Sequence, residues 1–341
     1  MIVARDVFGT LPDGRQVKSY TLSNTTGMSV SICAWGGRII SLRIPDRTGE
    51  PGEISMGFPT LEPYLARDNY CGATIGRVAN RIANGQFVLA GKRYSLWTQD
   101  HASLHGGEFG FNARLWKIGM DQDRVRLDYI SFDGEEGYPG NLDVTVWYSL
   151  NECDLTIEYK ATTDQTTLVN LTNHTFFNLN SFKRDVLAHE LRITADKYTP
   201  VDENLIPTGE ILPVALTPYD FTRTKTIGLE IDVTPNGYDH NYVFSTPPVK
   251  GELRWRGEIY DPDSGRFMAF ATDQPCIQFY SGNFLDGSQT GLHGSVYKRR
   301  YAFCLETQKH PDAINHPNFA STILEPDEIY THQTVYRFGA R

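Results

Sequence analysis

Cysteine is scarce in this chain of 341 residues, and the few copies form no recognisable pattern. Their number is odd, and no two are separated by the two-residue spacer that is typical of zinc ligands and redox pairs. Neither a zinc site nor a disulfide framework is therefore predicted, and reduced thiols of this kind indicate a cytoplasmic protein. The five cysteines are Cys33, Cys71, Cys153, Cys276 and Cys304.

Long apolar runs and an excess of basic residues are absent as well. No segment approaches the roughly 18 consecutive apolar residues of a membrane span, so no membrane partner is expected. The chain carries 32 Lys and Arg residues against 41 Asp and Glu residues, a net charge of -9. Because binding to a phosphate backbone needs clustered basic residues, no nucleic-acid partner is predicted. The first residues lack a basic segment followed by an apolar one, so a secretory signal is not predicted.

The motifs of nucleophilic, metal-dependent and nucleotide-dependent enzymes are also missing. The sequence contains neither G-x-S-x-G nor H-E-x-x-H. The glycines of residues 76–85 do not have the G-x-G-x-x-G spacing, and they lead towards a hairpin rather than a long helix. We therefore expect no metal and no cofactor, and the chemistry that remains is acid/base catalysis.

What the chain does have is a strong signal for β-structure. Aromatic residues make up 12% of it, with 30 Gly and 18 Pro as turn formers. Apolar and polar residues alternate over 144–150 and again over 155–159, which predicts a hairpin with a three-residue connection at 151–153. A second hairpin is predicted from residues 87–89 and 94–96 around an Ala-Gly-Lys turn.

Helical periodicity is confined to residues 60–68, where Pro63 favours a position in a first turn. No linker, low-complexity tract or change of composition divides the chain, so we expect a single domain over residues 1–341. Many short strands separated by turns predict an all-β fold, either a sandwich or a barrel, with a few short helices.

His174 lies in the apolar segment 171–179 together with several side-chain amides. A histidine among apolar neighbours is usually a hydrogen-bonded core residue, and that interpretation stays open here. Amides such as those of Asn173 and Asn178 could instead orient the imidazole by holding one ring nitrogen. Since imidazole gives and takes a proton near neutral pH, His174 is a candidate acid/base group.

Glu306 is the carboxylate whose position is hardest to explain by structure alone. It alternates with Cys304 along an otherwise apolar predicted strand, where a charged group costs several kcal/mol unless it is paired or functional. A partly buried glutamate also has a raised pKa, which suits it to act as a base.

Five further residues could bind a polar ligand, and each has an ordinary structural alternative. His105 precedes two glycines that let a backbone or ligand approach closely, or it is a surface residue at a glycine turn. Asn80 and Arg81 offer planar donors for hydroxyl groups, although a salt bridge within the loop would explain Arg81 equally well. Asp239 could accept two hydroxyl donors or form an Asx turn. Gln278 and its aromatic neighbours suit a sugar site, but also any strand end.

Seven motifs in unbroken order resemble those of the aldose 1-epimerases, also called galactose mutarotases, over nearly the whole chain. They are ANRI at 79–82, LHGG at 104–107, DGEEGYPG at 133–140, LTNH-x-FFNL at 171–179, YDHNY at 238–242, QFYSGNFLDG at 278–287 and LETQ-x-x-PDAIN at 305–315. The resemblance implies a large antiparallel β-sandwich in one domain. It departs from many members at Thr175 and Phe176, where Ser-Tyr is common, and at Ile314.

The resemblance also implies a reaction without a cofactor. Glu306 would take the proton of the C1 hydroxyl of a free aldohexose such as D-galactose or D-glucose, and His174 would protonate the ring oxygen. After ring opening and rotation about C1–C2, the ring would close with the roles reversed. Glu306 would raise the pKa of His174 and keep it cationic near neutrality. His105 would assist His174 or hold a hydroxyl.

The remaining contacts implied by the resemblance are those with the sugar. Residues assigned to its hydroxyls are Asn80, Arg81, Asp239 and Gln278, and those assigned to its apolar face are Tyr280 and Phe177. The partner is thus a monosaccharide, and the protein a monomer or homodimer.

Three competing functions stay open on the residues alone. A sugar-binding domain would need no acid/base pair, and a glycoside hydrolase or lyase would use Asp239 and Glu306 as its two carboxylates. A hexose-6-phosphate epimerase would need basic residues around its pocket, and none cluster near these motifs.

Overall fold

A computed structural model of the chain describes residues 2–247, 249 and 251–341. Within them the chain forms 28 strands and six 3-10 helices, and no α-helix. The predicted helix at 60–68 is reduced to a 3-10 turn with a proline in its first turn. None of the helices described is long and apolar enough to cross a membrane.

The strands are short, as the turn signals predict. They are β1 (Ile2–Thr10), β2 (Gln16–Ser23), β3 (Ser29–Cys33), β4 (Arg38–Pro45), β5 (Pro51–Glu53), β6 (Thr74–Ile75), β7 (Arg81–Ala83), β8 (Gln86–Leu89), β9 (Lys92–Ser95), β10 (Ala102–Leu104), β11 (Lys117–Asp121), β12 (Arg124–Ser131), β13 (Leu142–Asn151), β14 (Asp154–Thr163), β15 (Thr167–Leu168), β16 (Thr172–Asn173), β17 (Phe176–Phe177), β18 (Glu190–Ile193), β19 (Ala195–Thr199), β20 (Leu212–Pro213), β21 (Lys225–Thr226), β22 (Asp239–Phe244), β23 (Arg254–Tyr260), β24 (Arg266–Thr272), β25 (Cys276–Tyr280), β26 (Phe303–Gln308), β27 (Ile323–Leu324) and β28 (Tyr330–Ala340). The 3-10 helices are Glu62–Leu65, Phe111–Ala113, Glu135–Gly137, Ile231–Val233, Leu292–Gly294 and Ala313–Asn315.

Three large sheets carry most of these strands. The largest has nine strands in the order β11-β12-β13-β14-β28-β24-β23-β18-β21, and the second has six in the order β17-β26-β25-β22-β19-β20. Strands β1 to β5 form the third in sequence order, and the others pair two by two. All pairings between these strands are antiparallel, which confirms the all-β prediction.

Both predicted hairpins form, each with a connection one residue shorter than expected. β13 and β14 remain paired as far as Asn151 and Asp154, so only two residues connect them. β8 and β9 pair as far as Leu89 and Lys92. Their connection, Ala90-Gly91, has φ values of 48° and 78°. Two-residue turns with positive φ match the twist of the flanking strands, which is why pairing continues to the turn.

The core lies between the two largest sheets. Val146 of β13 and Ile157 of β14 are fully buried, and they belong to one hydrophobic cluster with Phe279 of β25 and Leu305 of β26. Because side chains alternate across a strand, the neighbours of these core residues on β25 and β26 point to the opposite face of the six-stranded sheet. That face carries the candidate site.

Candidate active site

The candidate site is built on the face of β22, β25 and β26 that points away from the core. In the register of these strands, Gln278 lies opposite Glu306, and Tyr280 lies opposite both Cys304 and Asp239. Directly paired residues share a face of a sheet, so these five side chains form one polar patch. The register of these three strands therefore places four predicted site residues together, namely Asp239, Gln278, Tyr280 and Glu306.

Loops from the first half of the chain complete this patch into a cavity of about 260 Å³. Its size is near the lower end of the range for small-molecule sites, about 300–1,000 Å³, and suits a ligand as small as a single sugar ring. Its walls consist of Asp68, Tyr70, Asn80, Arg81, Leu104, His105, His174, Phe176, Asp239, Gln278, Tyr280, Phe284, Leu285 and Glu306. All the site residues predicted from the sequence are among them except Phe177.

Two of the titratable groups that line this cavity, His174 and Glu306, lie side by side. His174 Nε2 lies 3.6 Å from Glu306 Oε1, and their side chains are 8% and 3% exposed. Glu306 Oε2 is buried and has no hydrogen-bond partner among the described residues. A buried carboxylate oxygen without a partner is costly to fold and is therefore a typical feature of functional sites.

Burial determines the protonation of both groups. It raises the pKa of the Glu306 carboxyl well above its usual range, and the negative charge of Asp239 adds to this while Arg81 opposes it. Burial likewise lowers the pKa of His174 to about 4. The expectation that Glu306 keeps His174 cationic is therefore wrong, because desolvation disfavours the charged forms of both groups.

His105 is held as a neutral hydrogen-bond donor. The backbone N–H of Asn80 donates to His105 Nδ1 at 3.1 Å, so the neutral ring carries its proton on Nε2. Burial lowers the pKa of His105 well below its ordinary value, and the charges of His174 and Arg81 lower it further. A ligand atom from each of His105, His174 and Glu306 lies within 4.8 Å of the others. A histidine that binds a metal through Nε2 has its proton on Nδ1 and donates from it. His105 instead accepts a hydrogen bond at Nδ1, so it does not fit the role of a metal ligand.

The glycines after His105 serve the backbone rather than the ligand. Gly106 has a φ of 97°, and a Cβ at this position would lie 1.9 Å from the carbonyl oxygen of Gly76. Only glycine allows this crossing of two chain segments, and the crossing brings His105 to the cavity wall. Here the close approach expected from the sequence is made by the chain itself.

The Arg81 side chain faces the cavity and takes part in none of the ion pairs in the part of the chain that the structure describes. Its strand is held by the PDAIN segment: the N–H of Asp312 donates to the Arg81 carbonyl at 2.9 Å, and Asp312 Oδ1 accepts from the N–H of Ala83. The alternative in which a salt bridge of Arg81 organises the loop is therefore not what the structure shows.

Asp239 and Gln278 form a hydrogen-bonded pair beside Glu306. Gln278 Nε2 donates to Asp239 Oδ1 at 2.6 Å. Burial raises the pKa of Asp239, whereas Arg81 and the Gln278 amide lower it. The remaining carboxylate and amide oxygens of this pair can accept hydrogen bonds from hydroxyl groups of a ligand.

The amides around His174 organise the backbone, and the prediction that they hold its ring is wrong. Asn173 Oδ1 accepts from the N–H of Thr175, and the Asn178 amide donates to two carbonyl oxygens. The main chain of His174 bonds to Ala73 and Gly72. Its ring nitrogen Nδ1 lies instead 3.5 Å from the sulfur of Cys304.

Phe177 does not contact the cavity, which corrects the expectation for this residue. It pairs with Phe303 and is 1% exposed within the core cluster, whereas Phe176 pairs with Cys304 and lines the cavity. The Phe176 ring stacks on His174 with centroids 4.9 Å apart. Strand alternation indicates that only one of the two adjacent phenylalanines faces the cavity, and the pairing with Cys304 identifies it as Phe176.

Tyr70 was missed by sequence reasoning. Its ring lies 4.7 Å from that of His105 and stacks at 5.9 Å on that of His174. Burial raises its pKa to about 12, so it stays a neutral phenol. No motif marks it, because its role depends on a loop whose position is set by tertiary contacts. Four further lining residues were not assigned to the site from the sequence, namely Asp68, Leu104, Phe284 and Leu285.

The structure thus has a small polar pocket with buried titratable groups on one face of a β-sandwich. The sequence model of the aldose 1-epimerase family matches residues 18–337. The chain is 44% identical to galactose mutarotase from Homo sapiens, over 99% of this chain and 98% of that protein. It is 38% identical to aldose 1-epimerase from Escherichia coli K12, over 96% and 97% of the two chains.

The crystal structure of an aldose epimerase homologue from C. elegans superposes with a TM-score of 0.87 at 29% identity, covering 94% of this chain and 98% of that one. The chain therefore belongs to the aldose 1-epimerase family, the isomerases that interconvert the anomers of aldose sugars. This assignment sets aside the sugar-binding and glycoside hydrolase alternatives.

Proposed function

We propose that the pocket interconverts the α and β anomers of free aldohexoses such as D-galactose and D-glucose, with Glu306 as the base and His174 as the acid. The observation that carries these roles is the buried pair of His174 and Glu306, 3.6 Å apart in a polar cavity. The names of the related galactose mutarotases support galactose as one substrate.

For this reaction, His174 and Glu306 together need one proton to donate and one basic atom that can accept a proton. Neutral Glu306 with neutral His174, and carboxylate Glu306 with imidazolium His174, contain the same number of protons and differ only in where the proton lies. In the second form Glu306 takes the proton of the C1 hydroxyl while His174 Nε2 gives one to the ring oxygen. The C1–O5 bond opens, the aldehyde rotates about C1–C2, and closure reverses both transfers.

The neighbouring groups then bind and orient the sugar. Arg81 favours the carboxylate form of Glu306 by its charge, which helps that group act as a base. The His105 Nε2–H donates to a sugar oxygen, and the Asp239–Gln278 pair accepts from its hydroxyls. Asn80 adds an amide to this set. Tyr280, together with Phe176, provides apolar contact.

A phosphorylated sugar is a poorer fit to this pocket. Of the described residues that line it, Arg81 is the only lysine or arginine, whereas Asp68, Asp239 and Glu306 are acidic. A phosphate dianion would be repelled unless further cations faced it. This charge distribution favours a neutral sugar.

Three coarser features belong to the same proposal. The shared hydrophobic core of the two largest sheets supports one domain over residues 1–341. All five cysteines are free, which supports a cytoplasmic location. The cavity is lined by residues of one chain, so a monomer would suffice, and a homodimer is equally compatible.

Polarimetry on freshly dissolved α-D-glucose and α-D-galactose tests this function. The protein is expected to accelerate the approach to anomeric equilibrium, and the variants Glu306→Gln and His174→Asn are expected to lose about 10²–10⁴ of that acceleration. His293→Asn is the matched control, because it makes the same substitution at a histidine on the exposed surface, outside the residues that line the cavity. No acceleration by the unmodified protein, or full activity in both site variants, would refute the proposal.

A further inference from the structure

The strand that carries Arg81 is short and has one neighbouring strand. β7 contains three residues, and in the described part of the chain its strand partner is β10. Their register places Arg81 opposite Leu104, the residue before His105. Two paired strands with no further partner are only marginally stable. The place of Arg81 at the cavity wall therefore depends on what binds the second edge of β7.

Asp312 binds this second edge with two hydrogen bonds. Its N–H donates to the Arg81 carbonyl oxygen at 2.9 Å, and the N–H of Ala83 donates to Asp312 Oδ1 at 3.1 Å. In a strand, the C=O of one residue and the N–H of the residue two positions later point to the same edge. Asp312 thus satisfies both groups of that edge with one residue, as a paired strand would.

The residue type at position 312 suits this contact. Its backbone has a φ of 55°, in the left-handed region that Asp and Asn adopt more readily than other side chains. Asp312 is buried, and its Oδ1 accepts a second hydrogen bond from Asn315 Nδ2 at 2.7 Å. Its Oδ2 lies 3.3 Å from His316 Nε2. Both carboxylate oxygens thus lie beside nitrogen atoms, which offsets the cost of burying this group.

An aspartate that only formed a turn would bond to the backbone of its own loop. Asp312 directly precedes the 3-10 helix Ala313–Asn315, but within the described structure its side chain caps no backbone amide of that helix. The backbone amide that it accepts from belongs to Ala83, 229 positions away. The side chain therefore connects this loop to the strand of Arg81.

The same loop continues directly from the strand of Glu306. β26 ends at Gln308, and the next residue, Lys309, is anchored by Asn170. The N–H of Lys309 donates to Asn170 Oδ1 at 2.9 Å, and the Asn170 amide donates to the Lys309 carbonyl oxygen at 3.3 Å. The proposed base and the residue that binds β7 thus belong to one anchored segment, residues 306–312.

The position of Arg81 matters because of its charge. Burial raises the pKa of Glu306 well above its usual range and Asp239 raises it further, whereas Arg81 lowers it. Burial also raises the pKa of Asp239, and Arg81 opposes this too. Since the Arg81 side chain takes part in none of the ion pairs between described residues, the placement of its backbone determines where this charge lies.

We propose that Asp312 is a positioning residue, which binds the second edge of β7 and thereby keeps the Arg81 guanidinium in the cavity, where its charge acts on Glu306 and Asp239. The inference rests on the role proposed above for Glu306 as the base. It assigns Asp312 no contact with the sugar, because its side chain is occupied by Ala83 and Asn315.

Two variants at position 312 separate the hydrogen-bond acceptor from the charge. Asp312→Asn and Asp312→Gly both remove the carboxylate charge and both tolerate a positive φ, but only asparagine keeps an oxygen that can accept from Ala83. Asp312→Gly is expected to lower kcat/KM about 10-fold, as a displaced active-site group does. It should also move the acidic limb of the kcat/KM profile to higher pH, because Glu306 loses the influence of Arg81. Asp312→Asn should keep most of kcat/KM and the original limb.

A double-mutant cycle tests whether Asp312 acts through Arg81. In an Arg81→Met background, Asp312→Gly should lower kcat/KM by less than about 2-fold, since the group that it positions is already absent. A loss of about 10-fold in that background as well would show that Asp312 acts independently of Arg81 and would overturn the inference.

Asp261→Gly is the matched control for lost stability. Asp261 is also buried and accepts from a backbone N–H, that of Ser264, but it lies outside the residues that line the cavity. This variant should lower Tm and leave kcat/KM and the acidic limb unchanged. A folded Asp312→Gly with the original kcat/KM and limb, or an Asp312→Asn as impaired as the glycine variant, would overturn the inference.

Asn315→Ala decides the question if Asp312→Gly does not fold. Asn315 is exposed, and its amide supports Asp312 Oδ1 without being needed for the core. Asn315→Ala should move the acidic limb in the same direction by a smaller amount, and an unmoved limb would overturn the inference. Full activity of Glu306→Gln would instead defeat the proposed function, whatever the result at position 312.

Discussion

The proximity of Glu306 and His174 predicts that their contributions to catalysis are not independent. At 3.6 Å, and with an effective dielectric constant of about 20, a carboxylate stabilises an imidazolium by about 5 kcal/mol. Both side chains are nearly inaccessible to solvent, so this interaction is little screened. Loss of the Glu306 charge therefore removes the base and also the main stabilisation of the protonated acid.

A double-mutant cycle measures this coupling. Glu306→Gln and His174→Asn are each expected to lower kcat by about 10³, within the range usual for a positioned acid or base. Independent effects would multiply to about 10⁶. Since the pair has to share one proton, we expect the double variant to lie within about 10-fold of the worse single variant. Rates come from polarimetry or from coupling to an anomer-specific dehydrogenase. A multiplicative loss would refute the shared-proton account.

The same Glu306→Gln variant carries its own folding control. Because the folded-state pKa of Glu306 is raised, its contribution to stability is fully present below the unfolded value of about 4.3 and is lost as the pH rises through the folded value. Glutamine does not ionise, so the stability contribution of its side chain does not fall as the pH rises. The Tm of Glu306→Gln should therefore exceed that of the unmodified protein by more at pH 8 than at pH 5, while activity falls. A destabilised variant at pH 8 would contradict the assignment of an uncompensated buried carboxylate.

Three further outcomes follow from the site and the core. The kcat/KM profile should be bell-shaped, because the pair of His174 and Glu306 holds two protons and no base at low pH and no proton to give at high pH; a flat profile between about pH 5 and 9 would contradict this. Six buried histidines have lowered pKa values. The free energy of unfolding should therefore fall as the pH drops from about 6.5 towards 4, because the unfolded chain binds protons there that the folded chain does not. Urea midpoints that do not change with pH in this window would contradict this expectation. Phe177→Ala should cost about 3–5 kcal/mol of stability by opening a core cavity, while Phe176→Ala should mainly raise KM or lower kcat. Urea unfolding and kinetics on both variants distinguish these effects. The reverse pattern would show that Phe177, and not Phe176, lines the cavity.

The all-β fold and both hairpins could be predicted because alternation and turn residues are local signals. The length of the turns could not, since it depends on how far pairing continues, as at Asn151 and Asp154. The wrong expectation for Phe177 has the same cause, because it too depends on strand pairing. The sequence shows two adjacent phenylalanines on a strand, and only the pairing of Phe176 with Cys304 reveals which one faces the cavity.

Whether a site residue could be predicted also depended on whether a pattern in its own segment marked it. Glu306 was conspicuous because its strand pattern is interrupted by a charge, and His105 because two glycines follow it. Tyr70 carries no such mark, and its approach to His105 and His174 depends on contacts between segments far apart in the chain. Sequence patterns report what one element needs, whereas cavity walls are formed by several elements at once.

Protonation is the property that the sequence predicted least well, and the reason is physical. Two opposite charges side by side suggest mutual stabilisation, which is the origin of the expectation that His174 is cationic. In a buried pocket the desolvation of both groups opposes that stabilisation. A proton that lies on Glu306 instead of His174 leaves the number of protons on the pair unchanged. A reaction that reverses its acid and base in every turnover needs Glu306 and His174 each to give up and to recover a proton. The catalytic requirement is therefore a single shared proton between Glu306 and His174, with its position set by sugar binding and by the partners of each group.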